Sequence, residues 1–74
     1  MALPTLANHA NHFLISADGT ELVRFVNAGN HQMCMTRYAI DAGEWELQGG
    51  GYGWIGQVRN RYKALTAKGY RKVS

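Results

Sequence analysis

With 74 residues, 46% of them hydrophobic and 18% charged, the chain is one small domain close to the lower size limit for folding alone. Its net charge of +3 is unevenly placed: residues 1–46 hold Arg24 and Arg37 against five acids, whereas residues 47–74 hold six cations and no acid. The composition excludes a low-complexity or repeat protein, and a single cysteine, Cys34, excludes an internal disulfide.

Residues 1–11 show no period that would bury a face, and Pro4, Asn8 and Asn11 suit a flexible tail, so the folded domain is expected over 12–74. Phe13–Ala17 and Thr20–Val26 are β-type runs separated by Asp18-Gly19, a pair suited to the positive φ angles of a type I′ turn. A two-residue hairpin there sets Ile15 opposite Leu22 and Leu14 opposite Val23. One face then carries Phe13, Ile15, Ala17 and Leu22, and the other Leu14, Val23 and Phe25. A single helix covers only one face, which leaves the other half-exposed or free to bind. Ala28-Gly29-Asn30 reads as the next turn, Gln32–Ile40 as a third strand and Asp41-Ala42-Gly43 as a third turn. Glu44–Gln48 alternates as a short fourth strand with Trp45 and Leu47 inward.

Gly49 to Gly56 reads as a glycine-aromatic turn, after which the period changes. Ile55, Val58, Tyr62 and Leu65 form the apolar stripe of a helix lying on a sheet, starting between Gly53 and Gln57. Gly69 is placed as the left-handed residue that ends it, with Tyr70 reaching back to Leu65. The expected class is α+β: a four-stranded antiparallel β-meander with one C-terminal α-helix packed on it, and room for a short final strand at Tyr70–Val73.

Gly51-Tyr52-Gly53-Trp54-Ile55-Gly56 matches G-x-G-x-x-G and opens a helix, where bare amides and the helix dipole favour an anion. The rest of a dinucleotide fingerprint is missing, since no βαβ unit surrounds it and no acid follows. The plainer reading is a flexible turn that lets Trp54 tuck under the helix. His9-x-x-His12 and His31-x-x-Cys34 supply four zinc-type ligands, but only one is a thiol and the first pair straddles the end of the tail. Met33 and Met35 flank Cys34 on the opposite strand face and do not join it around copper. Glu44 and Glu46 share an exposed strand face, and no nucleophile, base and orienting group converge, so neither a catalytic set, a cofactor nor a metal site is expected.

The basic set Arg59, Arg61, Lys63, Lys68, Arg71 and Lys72 points instead to an acidic partner, either a protein surface or a nucleic acid. The plainer explanation is that the basic and acidic halves face each other in the fold. Tyr52 and Tyr70 are the aromatics left free to stack on bases, Trp54 and Tyr62 being needed for the core. Leu14, Val23 and Phe25 are the expected apolar anchor. No run approaches the roughly 18 apolar residues of a membrane span, and no signal peptide opens the chain. With the lone cysteine, these features predict a cytoplasmic protein that does not meet a membrane.

Trp54-Ile55-Gly56, with Ala64 and Lys68-Gly69-Tyr70 after it, resembles the WGR domain, which associates with DNA-repair proteins. The arginine of Trp-Gly-Arg is absent here, and that function is not carried over. A meander followed by a helix ending Tyr62-Lys63-Ala64-Leu65-x-x-Lys68-Gly69-Tyr70 is similar to small accessory proteins of phages and mobile elements. Size, tail and element order resemble the phage-encoded proteins that bind host RNA polymerase, inhibit initiation and permit antitermination. That resemblance implies a stoichiometric, non-enzymatic regulator docked on the largest polymerase subunit near the RNA exit channel, in the bacterial host cytoplasm. Anti-CRISPR inhibitors share the same build, and direct nucleic-acid binding by the basic helix is the other alternative.

Overall fold

The computed structural model describes residues 2–73, and Met1 and Ser74, the outermost residues of the expected tail and domain, lie outside them. The elements are β1 (His12–Ile15), β2 (Glu21–Gly29), β3 (Gln32–Asp41), β4 (Glu44–Trp54), α1 (Ile55–Ala67) and β5 (Arg71–Val73). All strands pair antiparallel in one sheet of order β4-β3-β2-β1-β5. The expected α+β class and its C-terminal helix are present. Among the described residues the strand count is five rather than four, because the chain after Gly69 returns along β1, with Val73 beside Phe13 and Arg71 beside Ile15.

The first hairpin has the expected register, with Leu14 opposite Val23 and Ile15 opposite Leu22. Its turn differs. Gly19 has φ of 75°, but Asp18 keeps a negative φ, so the loop is not type I′. The Gly19 N–H instead donates to the Ser16 carbonyl at 3.0 Å, and the Ser16 N–H closes the loop on the Glu21 carbonyl at 2.9 Å. The tight two-residue turns lie further on. Asn30 and His31, with φ of 50° and 59°, join β2 to β3, and Ala42 and Gly43 join β3 to β4.

The largest departure is β4. The glycine-aromatic stretch is not a turn: Gly49 to Trp54 continues the strand, pairing from Arg37 down to Gln32 of β3. One extra residue, Gln48, bulges between the Tyr38–Leu47 and Arg37–Gly49 pairs. The Ile55 N–H, first of α1, donates to the His31 carbonyl at 2.8 Å, so the helix starts directly from the strand with no side-chain cap. Its far end is a Schellman motif: the Tyr70 N–H meets the Leu65 carbonyl at 3.1 Å, the Gly69 N–H meets the Thr66 carbonyl at 3.1 Å, and Gly69 has φ of 101°.

Three of the four residues of the helix stripe read from the sequence, Val58, Tyr62 and Leu65, pack on the core as expected. Val58 is buried, and Tyr62 and Leu65 lie against Leu14, Val23 and Phe25, with the Phe25 and Tyr62 rings edge-on at 5.3 Å. On the other side of the sheet Phe13, Leu22 and Tyr38 form a second cluster, joined by Ile15, Trp45, Val73 and Leu3. Residues 2–11 contain neither helix nor strand. Leu3 nevertheless joins this cluster, the Pro4 carbonyl accepts from Arg24 Nη1 at 3.4 Å, and the Asn11 amide bonds the backbone of Leu6 and His9.

Candidate functional site

On the helix side, α1 starts beside the β2–β3 turn and ends against Ala17 at the opposite end of the sheet. This diagonal course leaves part of the β2–β3–β4 surface uncovered, as a cleft of about 660 Å³. Three cations line it: Arg37 from β3, Arg61 from α1, and Lys68 from the cap just after that helix. Seven positions separate the last two, two full turns, so they share a side. Gly49 lies beside Arg37, where an added Cβ would stand at ordinary contact distance, 3.7 Å from its Nη2. The cleft holds one acid, Glu21, and that carboxylate accepts a hydrogen bond from the Tyr70 hydroxyl. The bond to Glu21, with burial second, pushes the Tyr70 phenol up to about 12, so it is a neutral donor at ordinary pH. The cleft therefore presents a cationic wall whose only carboxylate is engaged.

The other sheet face is open in a different way. Gly53 faces α1, where an added Cβ would come within 3.2 Å of Val58 Cγ2, so the alternating Tyr52 and Trp54 point away from the helix. Tyr52 is 74% exposed, Leu47 63% and Trp54 56%. Tyr52 and Leu47 flank a shallow groove floored by Cys34, Thr36 and Gly50. Arg24 also lines it, but its side chain is buried, its guanidinium stands 5.7 Å from the Tyr38 ring centroid, and its Nε has no partner. Glycines let the helix sit close to one side of β4 while the aromatics occupy the other.

The structure divides the sequence-predicted site residues. Arg61 and Lys68 meet Arg37 at the cleft, whereas Arg59 and Lys63 occupy another flank of α1, and Arg71 and Lys72 sit on β5 at the opposite side of the sheet from β4. All six are exposed. Leu14, Val23 and Phe25 do not form a free anchor: they are 0%, 4% and 2% exposed, because theirs is the face that α1 covers. Trp54 is not tucked under the helix, and Tyr70 is not a free aromatic. Tyr52 and Trp54 are the exposed pair, which the period-two alternation of Gly51-Tyr52-Gly53-Trp54 would have signalled had the glycines been read as strand. The G-x-G-x-x-G segment forms no phosphate loop, since its first four residues pair with β3. His9 lies in the tail and His12 opens β1, while His31 is on the β2–β3 turn and Cys34 is within β3. Among the described residues no three His, Cys, Asp or Glu side chains group to hold a metal ion. No helix among these residues is long and apolar enough to cross a membrane. Compared with family models, characterised proteins and solved structures, the chain matches none.

Proposed function

We propose that the chain is a small non-enzymatic regulator that binds an acidic surface of a larger host machine, with bacterial host RNA polymerase as the first target. The observation that supports this reading is the cleft, where Arg37, Arg61 and Lys68 converge and the one acid is engaged by Tyr70. An acidic loop or helix entering from the open side finds Arg61 and Lys68 from the helix side, Arg37 from the sheet, and Gln48, over a floor that includes the apolar Val23 and Met35. Arg59, Lys63, Arg71 and Lys72 spread positive potential around the site, steering encounter more than holding the complex. Regulation follows by occlusion: a bound domain of this size blocks what the acidic surface would otherwise contact. The choice of polymerase, and of inhibition or antitermination as outcome, rests on the resemblance in size, tail and element order.

The test is capture from a bacterial lysate with the intact chain, compared with the Arg61→Glu/Lys68→Glu variant. Recovery of RNA polymerase, weakened roughly tenfold or more by the double reversal, is expected. Recovery only of other complexes refutes the transcription target, and equal recovery by both proteins refutes the cleft. Nucleic-acid binding is the second reading, favoured by the exposed rings of Tyr52 and Trp54. It ranks second because those rings and the cleft cations lie on opposite faces of the sheet, so one short strand does not meet both. A mobility shift that falls steeply with salt would promote it.

A further inference from the structure

The two edges of the sheet are built differently. β5 is three residues long and carries Arg71 and Lys72, features that keep an edge from pairing further. β4 is eleven residues long, and from Leu47 to Trp54 it has no charge and no proline. Its pairing with β3 occupies only one side, so a row of backbone donors and acceptors faces outward. The Ile40 N–H bonds toward β2, on the Thr20 carbonyl at 3.0 Å. By alternation Asp41, Ala39, Met35 and Met33 bond toward β4, which makes Glu44, Glu46, Gly51 and Gly53 the inward residues there. The outward backbone groups are therefore those of Trp45, Leu47, Gly50, Tyr52 and Trp54.

We infer that β4 pairs antiparallel with β4 of a second copy of this chain, joining two five-stranded sheets into one continuous sheet. The bulge at Gln48 makes the strand self-complementary. It shifts the alternation by one, so Trp45 and Leu47 before it share the open face with Tyr52 and Trp54 after it. A two-fold axis between Gly49 and Gly50 then sets Trp45 opposite the partner's Trp54 and Leu47 opposite the partner's Tyr52. Both pairs match in side-chain face and in outward backbone direction, and they cover the large apolar residues that β4 leaves exposed on the open face. On the helix side the same register sets Glu46 opposite the partner's Gly53, beside the Gln57 and Val58 side chains of α1. That position adjoins the start of α1, which has neither a side-chain cap nor an acid in its first turn. Glu44 and Glu46 of each copy thus supply negative charge to the helix N-terminus of the other.

The test is sedimentation equilibrium of the intact chain with variants that probe the register. Leu47→Lys and Tyr52→Glu change exposed side chains and leave the core alone, which circular dichroism checks. Either substitution alone is expected to raise the dimer dissociation constant about tenfold, because each two-fold contact is lost twice. The double variant Leu47→Lys/Tyr52→Glu sets opposite charges across both copies of the pair and is expected to recover most of that loss. A wild-type chain that stays monomeric up to about 1 mM, a contact free energy of only ~4 kcal/mol, overturns the inference. So does a dimer that neither single variant weakens. Failure of the double variant to recover overturns the assigned register.

Discussion

Asp18 shows how much one side chain on a turn can do without burial. Its carboxylate accepts from Ser16 Oγ at 2.7 Å, Thr20 Oγ1 at 2.8 Å and the Thr20 N–H at 3.1 Å. The Ser16 bond, followed by those to Thr20, holds its carboxyl at about 2 instead of 3.8. Because the folded value is the lower one, the stabilisation is complete above the unfolded value and disappears as pH falls through about 2. Chemical denaturation of Asp18→Asn against the wild type should show a constant deficit from pH 7 down to about 4, closing toward pH 2. A deficit unchanged at pH 2 would assign the loss to turn geometry and not to charge. The importance of Asp18 to the hairpin was legible in the sequence; the turn type was not. Asp-Gly suits a type I′ turn, but here the loop is held by side-chain bonds of Ser16 and Asp18, and the double positive-φ turns fall on Asn30-His31 and Ala42-Gly43.

At the scale of elements, the helix was readable and β4 was not. Ile55, Val58, Tyr62 and Leu65 repeat at helical spacing, and Gly69 and Tyr70 end the helix as their residue types suggest. Glycine, by contrast, has weak strand propensity, so Gly49-Gly50-Gly51 read as a turn. The structure supplies tertiary reasons for two of the glycines. Under Gly53 the helix approaches closely, and at Gly50, paired with Thr36, an added Cβ would lie 2.5 Å from the Met35 carbonyl oxygen. Gly51 has nothing within 4 Å. Thermal or urea unfolding should therefore separate neighbours: Gly50→Ala is expected to cost about 1–3 kcal/mol, and Gly51→Ala to stay within about 0.5 kcal/mol of wild type. Equal costs at both positions would mean that strand propensity, not packing, governs the stretch.

At the scale of the whole molecule, the sheet separates two surfaces. The cationic cleft lies beside α1, and the apolar row of β4 lies on the open face and outer edge. Positive charge and exposed aromatics, adjacent in the sequence, are thereby sent to different sides. The two proposed contacts should be independent. Arg61→Glu/Lys68→Glu should leave the self-association constant within about twofold, and Leu47→Lys should leave capture of the larger partner unchanged, since the substituted side chains lie on opposite faces of the sheet. Loss of both contacts in one variant, with circular dichroism unchanged, would show that dimerisation and partner binding use one surface.

The class, the first hairpin's register, the helix face that packs and the sign of charge on the second half of the chain are readable from residue order alone. These follow from local periodicity, which acts within a few residues. Which sheet face the helix would cover was beyond its reach, because Leu14-Val23-Phe25 and Phe13-Ile15-Leu22 are equally apolar rows. That choice rests on how β4 delivers the chain to the β2–β3 turn, a matter of strand length and of the glycines that let β4 run on to Trp54. Once the helix lay on Leu14, Val23 and Phe25, those residues ceased to be a surface, and Leu47, Tyr52 and Trp54 became one. That exchange belongs to the packed chain, because exposure depends on what packs above a residue and not on the residue itself.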